Sequence, residues 1–299
     1  MTASTGTRPP ATATTRIFAA PPAIRTVFGL LERAAPAIGA RWAERLWMTL
    51  PKPRRLAGPV DRGAPFAVPV GGGTVAGQVW GDGPPVYLVH GWAGSGDQLA
   101  AFVGALAARG HRVVAFDAPS HGRSAPGRHG PRSSSIPEFV DALAAVAAVH
   151  GDPYAIVAHS MGALAAAAAV VDGLPAERLV LLAPMENPVA QARQLATALG
   201  FGERTRRRLI ARVERRVGAP MRHFDLPAFG AAVAMPPTLL VHDRDDRSTP
   251  VEHAATIAAA WPGASLKVTA GLGHIRLLAD PGVVTHVVEF VVSGQVVDG

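Results

Sequence analysis

A chain of 299 residues is too long for a minimal domain and suits one large α/β domain with an insertion, and 48% apolar content is ample for its core. Zero cysteines exclude disulfides, a thiol nucleophile and cysteine-type metal sites, and the lack of any apolar run of about eighteen residues argues against a membrane-spanning helix. The net charge of +7, almost all of it arginine, can attract membranes, acidic substrates or nucleic acid, but no nucleic-acid motif supports the last.

Residues 1–20, rich in Thr, Ala and Pro without the apolar stretch of a secretory signal, read as a disordered lead, so a cytoplasmic location is the default expectation. Residues 21–63 read as an N-terminal helical extension and linker. Its helical region runs from Pro22 to about Leu50 and is interrupted or kinked at Pro36. Ile38, Trp42, Leu46 and Leu50 recur every four residues beside Arg41, Glu44 and Arg45, a stripe expected to bury against the body or across a cap. The alternative is an interfacial helix in peripheral contact with a membrane. Lys52 to Pro65, rich in Pro, Arg and Gly, is a linker into strands Phe66–Val70 and Thr74–Trp80, joined by a Gly71-Gly72-Gly73 hairpin turn.

The apolar run Pro85–Val89 then leads straight into His90-Gly91-Trp92-Ala93-Gly94-Ser95-Gly96. This is not a phosphate loop, because G-x-x-x-x-G-K-[ST] is absent. Asp97 reads as the cap of a helix through Leu99, Phe102, Val103 and Leu106. A further strand, Val113–Phe116, runs into Asp117-Ala118-Pro119-Ser120-His121-Gly122-Arg123-Ser124. Tyr154–Ala158 gives way through His159-Ser160-Met161-Gly162 to an alanine-rich helix from Ala163 to Val171. Strand, sharp turn, helix is the context in which G-x-S-x-G lifts a serine hydroxyl above a sheet edge, with Ala158 here replacing the first glycine.

Such a serine needs a base within hydrogen-bond reach and a carboxylate to orient that base. Thr238–His242 reads as a buried strand followed by Asp243, Asp245 and Asp246, three competing acids before Thr249-Pro250 opens a helix. The strand Ala264–Thr269 ends in Ala270-Gly271-Leu272-Gly273-His274, whose glycines suit a mobile or tightly turning loop, and His274 is the base candidate. His242, His253 and His286 lie in a strand or helices, where structural or solvated roles are the default. Oxyanion stabilisation would come from the backbone N–H groups of Trp92, freed to turn inward by Gly91, and Met161. Trp92 is also a candidate wall of an acyl pocket.

In their order, His90-Gly91-Trp92, the 117–124 segment, the elbow with Gly162 and the two loops resemble the α/β-hydrolase fold superfamily, of the compact bacterial serine-hydrolase type. The resemblance spans roughly Gly77 to Val292, and Ser120 departs from it by standing where the family pattern has glycine. It implies an α/β fold with a mostly parallel central sheet flanked by helices over residues 64–299. It singles out Asp246 as the orienting acid, leaving Asp243 and Asp245 as solvated or capping acids. It also implies a short helical cap at 184–236, with helices Pro188–Leu199 and Glu203–Val217 and a return through Met221–Ala234. The arginines of 204–216 face away from Leu209, Ile210, Val213 and Val217, as a solvated face or toward anionic substrates or headgroups. The implied activity is hydrolysis of a small carboxylic ester or thioester through an acyl-enzyme, without metal or organic cofactor. The alternative is a ligand-binding signalling or receptor protein on the same fold with vestigial turnover.

Overall fold

The computed structural model describes residues 19–51 and 62–295. The expected lead up to residue 18 and linker residues 52–61 lie outside that range. Among the described residues eight strands form one sheet: β1 (Ala64–Val70), β2 (Gly73–Trp80), β3 (Pro85–Val89), β4 (Arg112–Phe116), β5 (Ala155–His159), β6 (Arg178–Leu182), β7 (Thr238–Asp243) and β8 (Ala264–Thr269), in the order β1-β2-β4-β3-β5-β6-β7-β8. β1 and β2 are antiparallel, their two-residue turn set by positive φ at Gly71 and Gly72; β3 to β8 are parallel. Strands covered on both faces need unbroken apolar runs, and β5 and β7 are buried along their whole lengths.

The helices are α1 (Pro22–Ala34), α2 (Pro36–Met48), α3 (Ala100–Ala107), α4 (Ile136–His150), α5 (Met161–Val171), α6 (Pro188–Leu199), α7 (Glu203–Val217), α8 (Leu226–Ala232), α9 (Val251–Ala260), the single turn α10 (Gly273–Arg276) and α11 (Pro281–Ser293). One core lies between the sheet and α4, α5, α8 and α9; Phe139, Leu143, Leu164, Phe229 and Ile257 belong to it. On the other sheet face Phe102 and Leu106 of α3 meet Val287 and Val291 of α11. The chain steps from β3 outward to β4 and then back across β3 to β5, so the strand order reverses at β3 and β5. Loops diverge at such a reversal, opening a crevice beyond the strand C-termini.

A third apolar cluster joins α1 and α2 to α6 and α7 through Phe28, Ala43, Met48, Leu199, Phe201, Leu209 and Val213. The extension therefore packs across the 184–236 segment, but not with the expected face. Ile38 is 59% exposed, Leu46 44% and Trp42 37%, while Gly39, Ala40, Ala43 and Met48 are buried. Small residues let α2 approach α7 closely: a Cβ on Gly39 would lie 3.3 Å from Thr205. Leu50 alone of the predicted stripe is buried, tied by its N–H to Arg132 O at 2.8 Å. Arg204, Arg207, Arg208 and Arg215 of α7 are exposed, whereas Arg212 is half-buried against the buried carboxylate of Glu44.

Candidate active site

Ser160 sits at the reversal between β5 and α5 with φ 54° and ψ −119°. An L-residue held there is strained by about 1–3 kcal/mol and persists only where its surroundings over-determine it. Its N–H donates to Leu182 O at 2.9 Å and its carbonyl accepts from Ala163 N at 3.1 Å. A Cβ on Gly162 would lie 2.2 Å from His90 O, and one on Gly91 would lie 3.0 Å from Ser160 Cβ. Both glycines are thus required by direct contact between the loop after β3 and the elbow. Ala158 pairs with Val89 and Leu181 inside the sheet, where only a small side chain is needed.

His274 lies in α10, with Nε2 3.1 Å from Ser160 Oγ and Nδ1 2.6 Å from Asp246 Oδ2. Asp246 is buried. Its Oδ1 accepts from Ser248 N at 2.7 Å and Thr249 N at 3.0 Å, and its Oδ2 also accepts from Thr249 Oγ1 at 2.8 Å. His242 Nε2 donates to Thr249 O at 3.0 Å and lies 3.4 Å from Asp246 Oδ2. Burial pushes the Asp246 pKa up, but hydrogen bonds from His242 and His274 and the Thr249 N–H outweigh it and hold the carboxyl far below its usual range. An ionised Asp246 accepts a hydrogen bond from His274 Nδ1–H, which fixes the tautomer that leaves Nε2 free to accept from Ser160.

The reading of Asp243 and Asp245 as solvated or capping acids needs correction for Asp243. It is fully buried at the end of β7 and accepts from Gly273 N at 2.8 Å, Leu272 N at 3.1 Å, Asp245 N at 3.0 Å and Thr269 Oγ1 at 2.7 Å. Burial raises its pKa, and these bonds more than reverse the shift. Asp245 is exposed and accepts from Gly271 N at 2.8 Å. The turn carrying His274 is therefore clamped by two carboxylates, with Gly271 and Gly273 supplying positive φ. The only advance signal was its place directly after the buried strand Thr238–His242.

Two buried imidazoles shape the loop after β3. His90 Nδ1 donates to Gly91 O at 2.7 Å while its Nε2 accepts from Ala118 N at 2.9 Å. His121 Nδ1 donates to Pro119 O at 3.0 Å while its Nε2 accepts from Ala93 N at 3.2 Å, holding Ala93 at φ 59°. Burial, with a contribution from His90, lowers the His121 pKa to about 3, so both of these bonds persist at neutral pH. Beside this loop the N–H groups of Trp92 and Met161 donate to no acceptor among the described residues. Asp97 makes no capping hydrogen bond; it lies in a short 3-10 turn and pairs with Arg123 at 3.6 Å. Ser120, at φ 67°, donates from Oγ to Gly130 O at 3.0 Å and accepts from Gly127 N at 2.9 Å. Its side chain ties down a turn that glycine would leave loose.

His159, next to the serine, was not singled out in the sequence. Its Nε2 donates to His274 O at 3.0 Å, and its deep burial keeps it neutral by driving its pKa well below 6.5. Two other histidines weighed from the sequence lie away from Ser160 Oγ's hydrogen-bond partners. His253 is buried with Nε2 3.6 Å from Glu186 Oε2, and His286 lies in α11.

A cavity of about 450 Å³ opens over Ser160, Met161 and His274, within the range of small-molecule sites. Trp92, Met185, Leu195, Val213, Val217, Met221 and Phe224 line it, together with Trp47 and Met48 at the end of α2. The N-terminal extension is thus a wall of the cavity, which sequence periodicity could not reveal. Ser134 and Gln191 add polar atoms to the lining, and neither Ser134 Oγ nor Gln191 Oε1 has a partner among the described residues. Among the described residues no group of three or more His, Asp or Glu side chains could hold a metal ion.

Comparison with known proteins agrees with this architecture. Residues 86–287 match the model of the alpha/beta hydrolase family. A serine hydrolase-like protein of Danio rerio is 37% identical over 102 residues, and a non-heme haloperoxidase of Rhodococcus erythropolis is 36% identical over 98. Those alignments take in 32% and 33% of this chain, and the chain spans only 30% and 35% of the relatives' own lengths. Among solved structures, an esterase from Exiguobacterium antarcticum superposes with a TM-score of 0.58 over 76% of this chain and 99% of its own, at 16% identity, a likeness of fold alone. With the family match covering more than half of the sequence and this sheet beneath it, the protein belongs to the alpha/beta hydrolase family.

Proposed function

We propose that the protein is a serine hydrolase that cleaves a carboxylic ester or thioester of modest size through an acyl-enzyme. The observation that carries this reading is the hydrogen-bond chain Ser160–His274–Asp246 at the floor of an apolar cavity. Ser160 Oγ attacks the carbonyl carbon as its proton passes to His274 Nε2. The imidazolium is stabilised by Asp246, and the Trp92 and Met161 N–H groups receive the developing oxyanion. His274 then returns the proton to the departing alkoxide or thiolate. Water, deprotonated by the same nitrogen, releases the acid and restores the hydroxyl.

Apolar walls supply binding energy for the acyl group without distinguishing an oxygen from a sulfur leaving atom, so the leaving group is chosen at the cavity mouth. The test is labelling by a fluorophosphonate together with turnover of p-nitrophenyl esters and acyl thioesters of graded chain length. Covalent label on the wild type, absent in Ser160→Ala, with turnover of at least one ester or thioester series is expected. A wild type that takes no label and turns over nothing is a binding protein, and the proposal fails.

A further inference from the structure

The outer face of the α1–α2 hairpin is unusual for a water-exposed surface. On α2, Ile38, Trp42 and Leu46 form an exposed stripe, and on α1 Val27 is 42% and Leu30 59% exposed. The two helices meet where Trp42 stacks on the buried Phe28 of α1 at 4.7 Å. Three large apolar side chains in one stripe along α2, with two more exposed on the neighbouring helix, exceed the single scattered ones that need no explanation.

The charge around this patch has one sign. Arg25, Arg33, Arg41 and Arg45 are exposed on the two helices. Both carboxylates of the hairpin point the other way. Glu32 accepts from the Arg204 and Thr205 N–H groups at the start of α7, and Glu44 is buried against Arg212, with Arg216 Nη1 at 3.7 Å. Such a face presents hydrocarbon and cations, with no carboxylate of the hairpin among them. A second copy would set arginine against arginine, whereas a bilayer of anionic lipid complements both features.

We propose that the α1–α2 hairpin docks the protein on an anionic membrane surface, with Ile38, Trp42 and Leu46 entering the headgroup boundary and Arg41 and Arg45 meeting lipid phosphates. Trp47 and Met48, one turn on in the same helix, line the cavity, so the docked face adjoins the wall that receives the acyl group. Docking is independent of the reaction assigned to Ser160 and can be read without turnover.

Flotation of the full chain carrying Ser160→Ala with vesicles of phosphatidylcholine alone, or of phosphatidylcholine with phosphatidylglycerol, tests the proposal. Binding to the mixed vesicles that weakens as salt rises is expected, with little on phosphatidylcholine alone. Arg41→Gln and Arg45→Gln should each lower the partition coefficient about fivefold, near the contribution of one cation at such a surface. Ile38→Ser with Leu46→Ser should abolish flotation. On the background that retains Ser160, all four exposed substitutions should leave the melting temperature and any turnover of a short, water-soluble ester unchanged. No flotation at low salt, equal binding to both vesicles, or insensitivity to these substitutions would overturn it. So would a dimer in solution that the Ile38 and Leu46 changes convert to monomer, because a second copy would then own the face.

Discussion

The carboxylate of Asp243 accepts a hydrogen bond from the backbone N–H of Gly273 at 2.8 Å, immediately before His274. A side chain that touches neither Ser160 nor the cavity thereby sets where the imidazole stands. Asp243→Asn keeps the shape but loses the charge-assisted character of these bonds, which are worth about 1.5–3 kcal/mol when a charge takes part. Because a small misplacement of a reacting group is expensive, kcat on a p-nitrophenyl ester should fall about tenfold to a hundredfold with KM little changed. Unaltered kcat would show that the turn is held by packing alone.

Buried neutral imidazoles make stability depend on pH. The folded-state pKa of His121 is about 3, below the ordinary 6.5, so its contribution is complete above pH 6.5 and is lost progressively as pH falls from there toward 3. At pH 5 the loss is about 2 kcal/mol from this group. His253, lowered to about 4 chiefly by burial, acts in the same direction. Urea unfolding at pH 7 and pH 5 should show the drop, and His121→Gln, which cannot titrate, should show less of it. A stability unchanged between these two pH values would contradict the burial of both rings.

Trp47 tests whether the extension shapes selectivity. Removing its indole opens the far wall of the cavity, so Trp47→Ala should move the chain-length optimum toward longer acyl groups. The ratio of kcat/KM for a long to a short ester should rise on the order of tenfold, the scale on which one or two methylenes discriminate. A parallel decline for all chain lengths would instead mark a purely structural residue.

Strain at the elbow predicts a divergence between two inactive variants. Ser160→Ala retains a Cβ at φ 54°, whereas Ser160→Gly relieves it. Both should lose turnover, yet the glycine variant should be the more stable by about 1 kcal/mol, partly offset by its freer unfolded chain. Equal melting temperatures would mean that the elbow is unstrained.

Much of the scaffold was legible in order. Unbroken apolar runs mark strands buried on both faces, and the cap helices Pro188–Leu199 and Glu203–Val217 have the bounds expected from the resemblance. The elbow was legible because a serine between a buried strand and an alanine-rich helix has few other conformations open to it. The candidates Ser160, Asp246 and His274 could be named from the order of the motifs, and the tertiary structure brings Ser160 and Asp246 each within hydrogen-bond reach of His274.

What stayed hidden depends on distance in space. Periodicity selected Ile38, Trp42 and Leu46 as the inward face of α2, but the close fit of Gly39, Ala40 and Ala43 against α7 turned them outward. Asp243 looked like a surface acid until Gly273, thirty residues later, proved to be its donor. Local sequence determines which conformations each segment favours, because propensity and pattern act over a few residues. Which face is buried, and which carboxylate meets which amide, was decided only when distant segments competed for the same contacts.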